Sequence, residues 1–132
     1  MEQNKTFNSN VMFTFFGKGH WSEKAQKYVP STKPIRNVDI QWVGDYVLSE
    51  RAKPQTEELR QILTTATEQQ LRDYKLTEFD AVAGAGIFSY GNAAGLTIRS
   101  PYIVLDVDDL KSTEEAREIQ QTLIADKNVE TA

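Results

Sequence analysis

The apolar residues of this chain fall in short runs rich in aromatic and β-branched side chains. Residues 11–16 (VMFTFF) form one run that ends at Gly17, and residues 101–108 (PYIVLDVD) contain another. Such residues favour extended structure, and an unbroken apolar run is typical of a strand buried on both faces. The pattern therefore predicts two strands, and the second has the character of a central strand.

Helical spacing of apolar positions predicts four helices. Asp39 is a candidate N-cap for a helix over residues 40–50, with a strand over residues 38–43 as the competing prediction. Pro54 suits the first turn of a second helix, and residues 67–76 predict a third. Ser112, with Glu115 three residues later, predicts a capping box at the start of a helix over residues 113–125.

The remaining stretches predict one more strand and two connecting segments. Residues 79–88 (FDAVAGAGIF) indicate a strand in which Gly84 and Gly86 allow another backbone to approach closely. Residues 17–34 and 89–100 are rich in glycine, proline and polar residues, so we expect a long loop and a turn or mobile loop. The pattern predicts an α+β fold with a mixed sheet, in a single domain over residues 1–132.

Composition excludes several classes of protein. The 132 residues are 39% hydrophobic and 26% charged, which is ordinary for one globular domain. The chain has no cysteine and a single histidine, His20, so disulfides, thiolate chemistry and multi-histidine metal sites are excluded. No stretch approaches the roughly 20 apolar residues that a membrane span needs. We expect a soluble, cytoplasmic protein that has no membrane partner.

Charge is distributed unevenly along the chain. Residues 1–36 carry six lysines and arginines against two glutamates, whereas residues 106–132 carry eight acids against three bases. A basic segment suits the phosphates of a nucleic acid. We predict that Lys18, Lys24 and Lys27 bind single-stranded DNA, with an ordinary solvated face as the alternative.

Two aspartates that follow the second apolar run are the main candidates for chemistry. If the strand continues to residue 108, Asp106 and Asp108 point to the same face, and like charges there call for a cation. Carboxylate oxygens suit Mg²⁺ or Mn²⁺, completed by substrate phosphates. A strand that ends at Leu105 and leads into a solvated loop is the competing interpretation, and an Asp-x-Asp nucleotide-sugar transferase is a weaker one.

Other motifs with similar spacing do not fit. A haloacid dehalogenase would need Gly and Thr where Asp109 and Leu110 stand, and an EF-hand would need a later Gly and Glu at fixed positions. Ser89 is a candidate to hydrogen-bond a nucleotide phosphate and Arg99 to pair with it, although ordinary turn chemistry explains both residues equally well.

The order of these features resembles the N-terminal domain of the virulence-associated protein E (VirE) family of Bacteroides-type mobile elements. The resemblance is carried mainly by AGAGIFSYGNAAGLTIRSPYIVLDVDDL and STEEAREIQQTLIADKNV, with VMFTFF and STKP upstream. Such domains look like the catalytic core of archaeo-eukaryotic primases and primase-polymerases. The resemblance implies that Asp106 and Asp108 are catalytic metal ligands in nucleotidyl transfer, with a nucleoside triphosphate and single-stranded DNA as partners.

Two departures from the family pattern shape the functional expectation. No basic residue follows the Gly-x-Phe strand closely, so Arg99 is the substitute for a phosphate-binding group, and the later catalytic motifs would lie beyond Ala132. We therefore expect an N-terminal fragment of a longer primase-helicase-like replication protein with a downstream helicase-like domain, inactive by itself. The alternative is a non-catalytic binding or interaction module in which the aspartates are structural.

Overall fold

The computed structural model describes residues 12–129, and in this range it has seven short strands and four α-helices. The strands are β1 (Phe13–Phe16), β2 (His20–Ser22), β3 (Lys27–Val29), β4 (Pro34–Val38), β5 (Ala81–Ala83), β6 (Gly86–Phe88) and β7 (Leu96–Arg99). The helices are α1 (Ile40–Leu48), α2 (Lys53–Ile62), α3 (Glu68–Glu78) and α4 (Thr113–Ala125). The α+β class predicted from the sequence is confirmed.

Strand β1 is the centre of the only three-stranded sheet in the described part of the chain, whose order is β4-β1-β5. Strands β2 and β3 form one hairpin, and β6 and β7 form another. All of these described pairs are antiparallel, so the parallel pairing of the expected mixed sheet does not occur among residues 12–129. Two-stranded hairpins with short turns can only be antiparallel.

Strand β1 is buried on both of its faces. Phe13 and Phe15 point to one face, where the ring of Phe15 lies 5.0 Å from that of Trp42 in α1. On the other face Thr14 is fully buried and the ring of Phe16 lies 6.5 Å from that of Phe88 in β6. The strand buried on both faces is therefore β1, whereas the sequence pattern predicted that character for residues 101–108.

The hydroxyl group of Thr14 joins β1 to the β6–β7 hairpin. It donates to the carbonyl oxygen of Gly86 at 3.2 Å and accepts from the backbone N–H of Phe88 at 2.9 Å. Gly86 has a φ of 153°, and a Cβ atom there would collide with the carbonyl oxygen of Ile98. Glycine is required at this position because β7 approaches so closely, as the sequence indicated.

The helices begin where their capping residues predict. The Asp39 side chain accepts from the backbone N–H of Trp42 at 2.8 Å, and Thr67 begins α3 in a reciprocal capping box. Ser112 accepts from the N–H of Glu115 at 3.1 Å, but the Glu115 carboxylate accepts from the backbone N–H of Lys111 instead, so only half of the predicted box forms.

No helix within residues 12–129 is long and apolar enough to cross a membrane.

Three predicted segments are divided differently in the structure. The long loop expected over residues 17–34 contains the β2–β3 hairpin and the start of β4. The single strand expected over residues 79–88 is broken at residues 84–85 into β5 and β6, which belong to different sheets. The turn expected over residues 89–100 includes β7. In each case pairing between segments decides the structure, and local composition does not reveal that pairing.

The strand predicted at residues 101–108 is the clearest correction, because residues 101–112 have no regular secondary structure. The side chains of Ile103, Val104 and Leu105 are 86%, 72% and 71% exposed. A strand exists only when a neighbour pairs with it, and no described strand pairs with this segment. Tyr102 alone reaches the core, where its ring lies 5.7 Å from that of Phe13.

We predict that Thr14→Val destabilises the fold by about 1–3 kcal/mol, because it leaves the partly buried N–H of Phe88 without its acceptor. Thr97→Val is the matched control, since its exposed hydroxyl also donates to a backbone carbonyl, that of Ile87, at 3.0 Å. Urea unfolding of both variants measures the difference. Equal free energies of unfolding for the two variants would contradict the role given to Thr14.

Candidate nucleic-acid interface

The β2–β3 hairpin presents two aromatic side chains to solvent. Trp21 and Tyr28 are opposite each other in the pairing register, and their ring centroids lie 5.1 Å apart in an edge-on arrangement. The two residues are 43% and 40% exposed. A cross-strand aromatic pair stabilises a hairpin, and its exposed ring surface is also a surface on which nucleic-acid bases stack.

Local hydrogen bonds fix the turn and the base of this hairpin. Gln26, with a φ of 50°, closes the turn and donates through Nε2 to the carbonyl oxygen of Glu23 at 2.7 Å. At the base, the N–H of Gly19 donates to the carbonyl oxygen of Leu76 in α3 at 2.7 Å. A Cβ atom on Gly19 would lie only 2.8 Å from Cγ of Leu76, so a glycine allows the hairpin to dock on α3.

The three lysines predicted to bind nucleic acid all belong to this hairpin or its approach, and all are exposed. Lys18 precedes β2, Lys24 lies in the turn and Lys27 lies on β3. Only Glu23 opposes them within residues 17–29, so three positive charges and one negative charge give this segment a net charge of +2 with histidine neutral. The sequence prediction had treated them as part of a loop, and the structure places them on or beside the hairpin that carries the aromatic pair.

The three lysines are not equivalent. Side chains alternate between faces along a strand, so Lys27, adjacent to Tyr28, lies on the face opposite the aromatic pair. Lys24, in the turn, is not held to either face. A nucleic-acid strand stacked on Trp21 therefore has Lys27 on the far side of the two-stranded ribbon. Lys5, also counted in the basic segment, lies outside the described residues.

Sequence reasoning missed Tyr28. A signal was present in HWSEKAQKYV, because Trp21 and Tyr28 are equally distant from the middle of the polar stretch 23–26. Such symmetry is what a four-residue hairpin turn requires of a cross-strand pair. The two nearby prolines, Pro30 and Pro34, directed the interpretation towards a loop.

Asp106 and Asp108 are not held at the end of a central strand as the sequence predicted. Both are exposed, within the irregular segment 101–112. The adjacent Asp109 has a φ of 59°, so the backbone turns directly after Asp108 and does not continue an extended run. The expectation of a strand that continues to residue 108 is therefore wrong for the described structure. The physical reason is the missing partner strand described above.

The carboxylate and imidazole side chains within residues 12–129 do not form a preformed Mg²⁺ or Mn²⁺ site. Within residues 12–129, no three side chains of histidine, cysteine, aspartate or glutamate are grouped closely enough to hold a metal ion. Two exposed carboxylates on an irregular segment supply only part of a hard cation's coordination shell, and water or phosphate would have to supply the rest. We derive no catalytic step through a metal ion. The metal-binding role of Asp106 and Asp108 stays a prediction.

Ser89 and Arg99, the predicted nucleotide-binding pair, lie towards opposite ends of the β6–β7 hairpin. Ser89 follows Phe88, and both its N–H and its hydroxyl donate to the carbonyl oxygen of Gly95, at 2.8 and 3.2 Å. Arg99 is paired with Gly86 at the far end and is exposed. The Ser89 hydroxyl thus serves the turn, as the alternative interpretation held. Nucleotide binding by either residue stays a prediction.

Comparison with known proteins gives one result for part of the chain. Residues 75–132 match the family model described as BT4734-like, N-terminal domain. The matched part runs from the end of α3 through α4 and contains Asp106 and Asp108. It does not contain the β2–β3 hairpin. No curated protein and no solved structure gives a significant match. The match covers less than half of the chain, so it is a similarity of that part.

We predict weak Mn²⁺ binding by the two carboxylates, with a Kd of about 1 mM, because most of the coordination shell is water. Isothermal titration of the wild type and of Asp106→Ala measures it, and the signal should disappear in the variant. Asp126→Ala is the control, since Asp126 is an equally exposed aspartate that caps the C-terminus of α4. Micromolar binding, or binding that Asp126→Ala reduces as much as Asp106→Ala does, would contradict the assignment.

Proposed function

We propose that this domain binds single-stranded DNA through the β2–β3 hairpin, as part of a cytoplasmic, primase-like replication protein of a mobile element. The observation that carries the proposal is the exposed Trp21–Tyr28 pair on a hairpin with a net charge of +2 over residues 17–29. Aromatic rings that stack on bases, combined with lysines that attract phosphates, are the usual elements of sequence-tolerant single-strand binding.

The hairpin suits a single strand better than a duplex. Stacking on Trp21 or Tyr28 requires a base with an accessible face, and bases in a duplex already stack on each other. The two rings meet edge to face, at an interplanar angle of 76°, so they present differently oriented surfaces and not one broad platform. This geometry supports contact with one or two bases, with little reading of base identity.

The primase-like part of the proposal rests on the sequence pattern around Asp106 and Asp108. In this proposal the domain is part of a longer protein with a downstream helicase-like domain. The activity of that protein uses a nucleoside triphosphate and a divalent metal ion. We expect residues 1–132 alone to synthesise no primer, because phosphoryl transfer depends on several groups positioned together. Nucleotide incorporation by this chain, abolished in Asp106→Asn, would contradict that expectation.

One observation favours the second candidate, a non-catalytic binding module. Asp106 and Asp108 are exposed and lie in a segment without regular secondary structure, which is what structural or solvated aspartates would show. DNA binding by the hairpin is compatible with both candidates, because the two elements lie in different parts of the chain. The incorporation assay on a chain extended beyond residue 132 separates the candidates.

We predict that Trp21→Ala weakens binding of a short oligothymidylate by roughly 5- to 150-fold, the equivalent of about 1–3 kcal/mol for one stacked base. Trp21→Phe retains a ring and should retain most of the affinity. Fluorescence anisotropy of labelled DNA gives the affinities, and circular dichroism verifies that each variant is folded. Equal affinities for the alanine and phenylalanine variants would contradict stacking.

The lysines supply a separate test of the same interface. Replacing Lys18, Lys24 and Lys27 together by glutamate should remove binding at low salt, and the wild type should lose affinity with a salt slope of about −2 if three phosphates are neutralised. The control replaces Lys111, Arg117 and Lys127 by glutamate, which changes the net charge equally but away from the hairpin. Equal loss in both triple variants would show only a net-charge effect.

A further inference from the structure

A cavity of about 330 Å³ lies at the base of the β2–β3 hairpin. Its walls come from the end of β1, from α3 and the segment after it, from β5 and β6, and from the turn at residues 91–92. Its lining residues include three phenylalanines, a leucine, a lysine and an aspartate: Phe16, Phe79, Phe88, Leu76, Lys75 and Asp80. Cavities of this size and mixture are typical of small-molecule sites.

Backbone hydrogen bonds hold two sides of the cavity in place. On one side the N–H of Gly19 is bonded to Leu76, as described above. On the other side the N–H of Gly91 donates to the carbonyl oxygen of Thr32 at 2.8 Å. A Cβ atom on Gly91 would lie 2.9 Å from Cα of Thr32 and 3.4 Å from Cε1 of Phe16, so the turn approaches too closely for a side chain. These two backbone contacts fix the positions of two walls of the cavity.

A side-chain hydrogen bond also fixes the segment before β5, which lines the cavity. The hydroxyl of Tyr46 in α1 donates to Oδ2 of Asp80 at 2.6 Å. Burial, and then this hydrogen bond, raise the pKa of Tyr46, so the phenol remains a donor at neutral pH. Tyr46 packs on Phe15, so this hydrogen bond joins α1 to the segment before β5.

We propose that this cavity binds a nucleobase. Aromatic walls suit a flat heterocycle, and Lys75 offers a positive charge for an attached phosphate. A bare phosphate does not suit the cavity, because its walls are mainly apolar. The proposal rests on the proposed function, and it deepens that function by assigning a second contact for a base.

The position of the cavity relative to the hairpin supports this occupant. Gly17 and Gly19 line the cavity before β2, and Pro30 lines it directly after β3. Lys18 lies between the two glycines and is exposed, so a phosphate at the mouth of the cavity is within the range of its flexible side chain. The cavity therefore adjoins the ends of the two strands that carry the aromatic pair. The base can come from a free nucleotide or from a DNA strand whose neighbouring base stacks on Trp21.

The test fills the cavity from β5. Ala81 lines it, whereas Val82, the next residue of the same strand, points to the other face and is 37% exposed. We expect Ala81→Trp to weaken binding of deoxyadenosine and deoxycytidine monophosphates by about tenfold or more, and Val82→Trp to change it by less than about twofold. Two-dimensional NMR titrations of the backbone amides give both the affinities and the location of binding.

Two outcomes of the NMR titrations distinguish whether the bound base comes from a free nucleotide or from a DNA strand. If monophosphates bind and shift the amides of Ala81, Ala83 and Gly91, the cavity accepts a free nucleotide. If only an oligonucleotide shifts those amides, and removal of a single base to leave an abasic site abolishes the shift, the cavity accepts a base of the strand. Both results support the proposal. Absence of both shifts in the wild type overturns it.

The remaining outcomes separate this proposal from the hairpin interface. If Ala81→Trp binds every probe as tightly as the wild type does, the cavity proposal is wrong. If Trp21→Ala weakens DNA binding in that case, the proposed hairpin interface still stands. If Ala81→Trp does not fold, Lys75→Gln replaces it, since Lys75 is exposed and its loss leaves the aromatic walls unchanged. Lys75→Gln should weaken monophosphate binding by at least about threefold, and unchanged affinity would overturn the proposal.

Discussion

The burial of β1 on both faces is the constraint on which the rest of this structure depends. One face of the strand packs on α1 through Phe13 and Phe15, and the other is joined to β6 by the hydroxyl of Thr14. A fully buried hydroxyl must be hydrogen-bonded, and here the donor and acceptor are both in a hairpin more than 70 residues away in sequence. This bond fixes β6 over Phe16, and Phe16 and Phe88 then become walls of the cavity.

Local signals in the sequence predicted the parts of the fold that depend on local interactions. Asp39, Thr67 and Ser112 each satisfy a backbone N–H within three residues, so the starts of α1, α3 and α4 could be identified without knowledge of the fold. The apolar run at residues 11–16 predicted β1 for a similar reason, since its aromatic and β-branched composition alone favours extended structure.

Parts that depend on pairing between distant segments could not be predicted in this way. The segment around Ile103, Val104 and Leu105 has the composition of a buried strand, yet no described strand pairs with it and its side chains are exposed. The hairpin around Trp21 is the opposite case. Its polar composition predicted a loop, whereas in the structure Trp21 and Tyr28 pair across two strands. The candidate interface was accordingly predicted by its lysines, but not by its rings or by the adjacent cavity.

The central claim is that Trp21 contacts the bases of single-stranded DNA, and the indole N–H resonances of the two tryptophans test it most directly. Trp42 is an internal control, since it is half-buried and stacks on Tyr46, with ring centroids 5.3 Å apart. Titration with a short oligothymidylate, with the resonances assigned from Trp21→Phe, should shift or broaden the Trp21 signal and leave that of Trp42 in place. A Trp21 signal that does not respond while DNA binds, or equal changes at both tryptophans, would contradict the account.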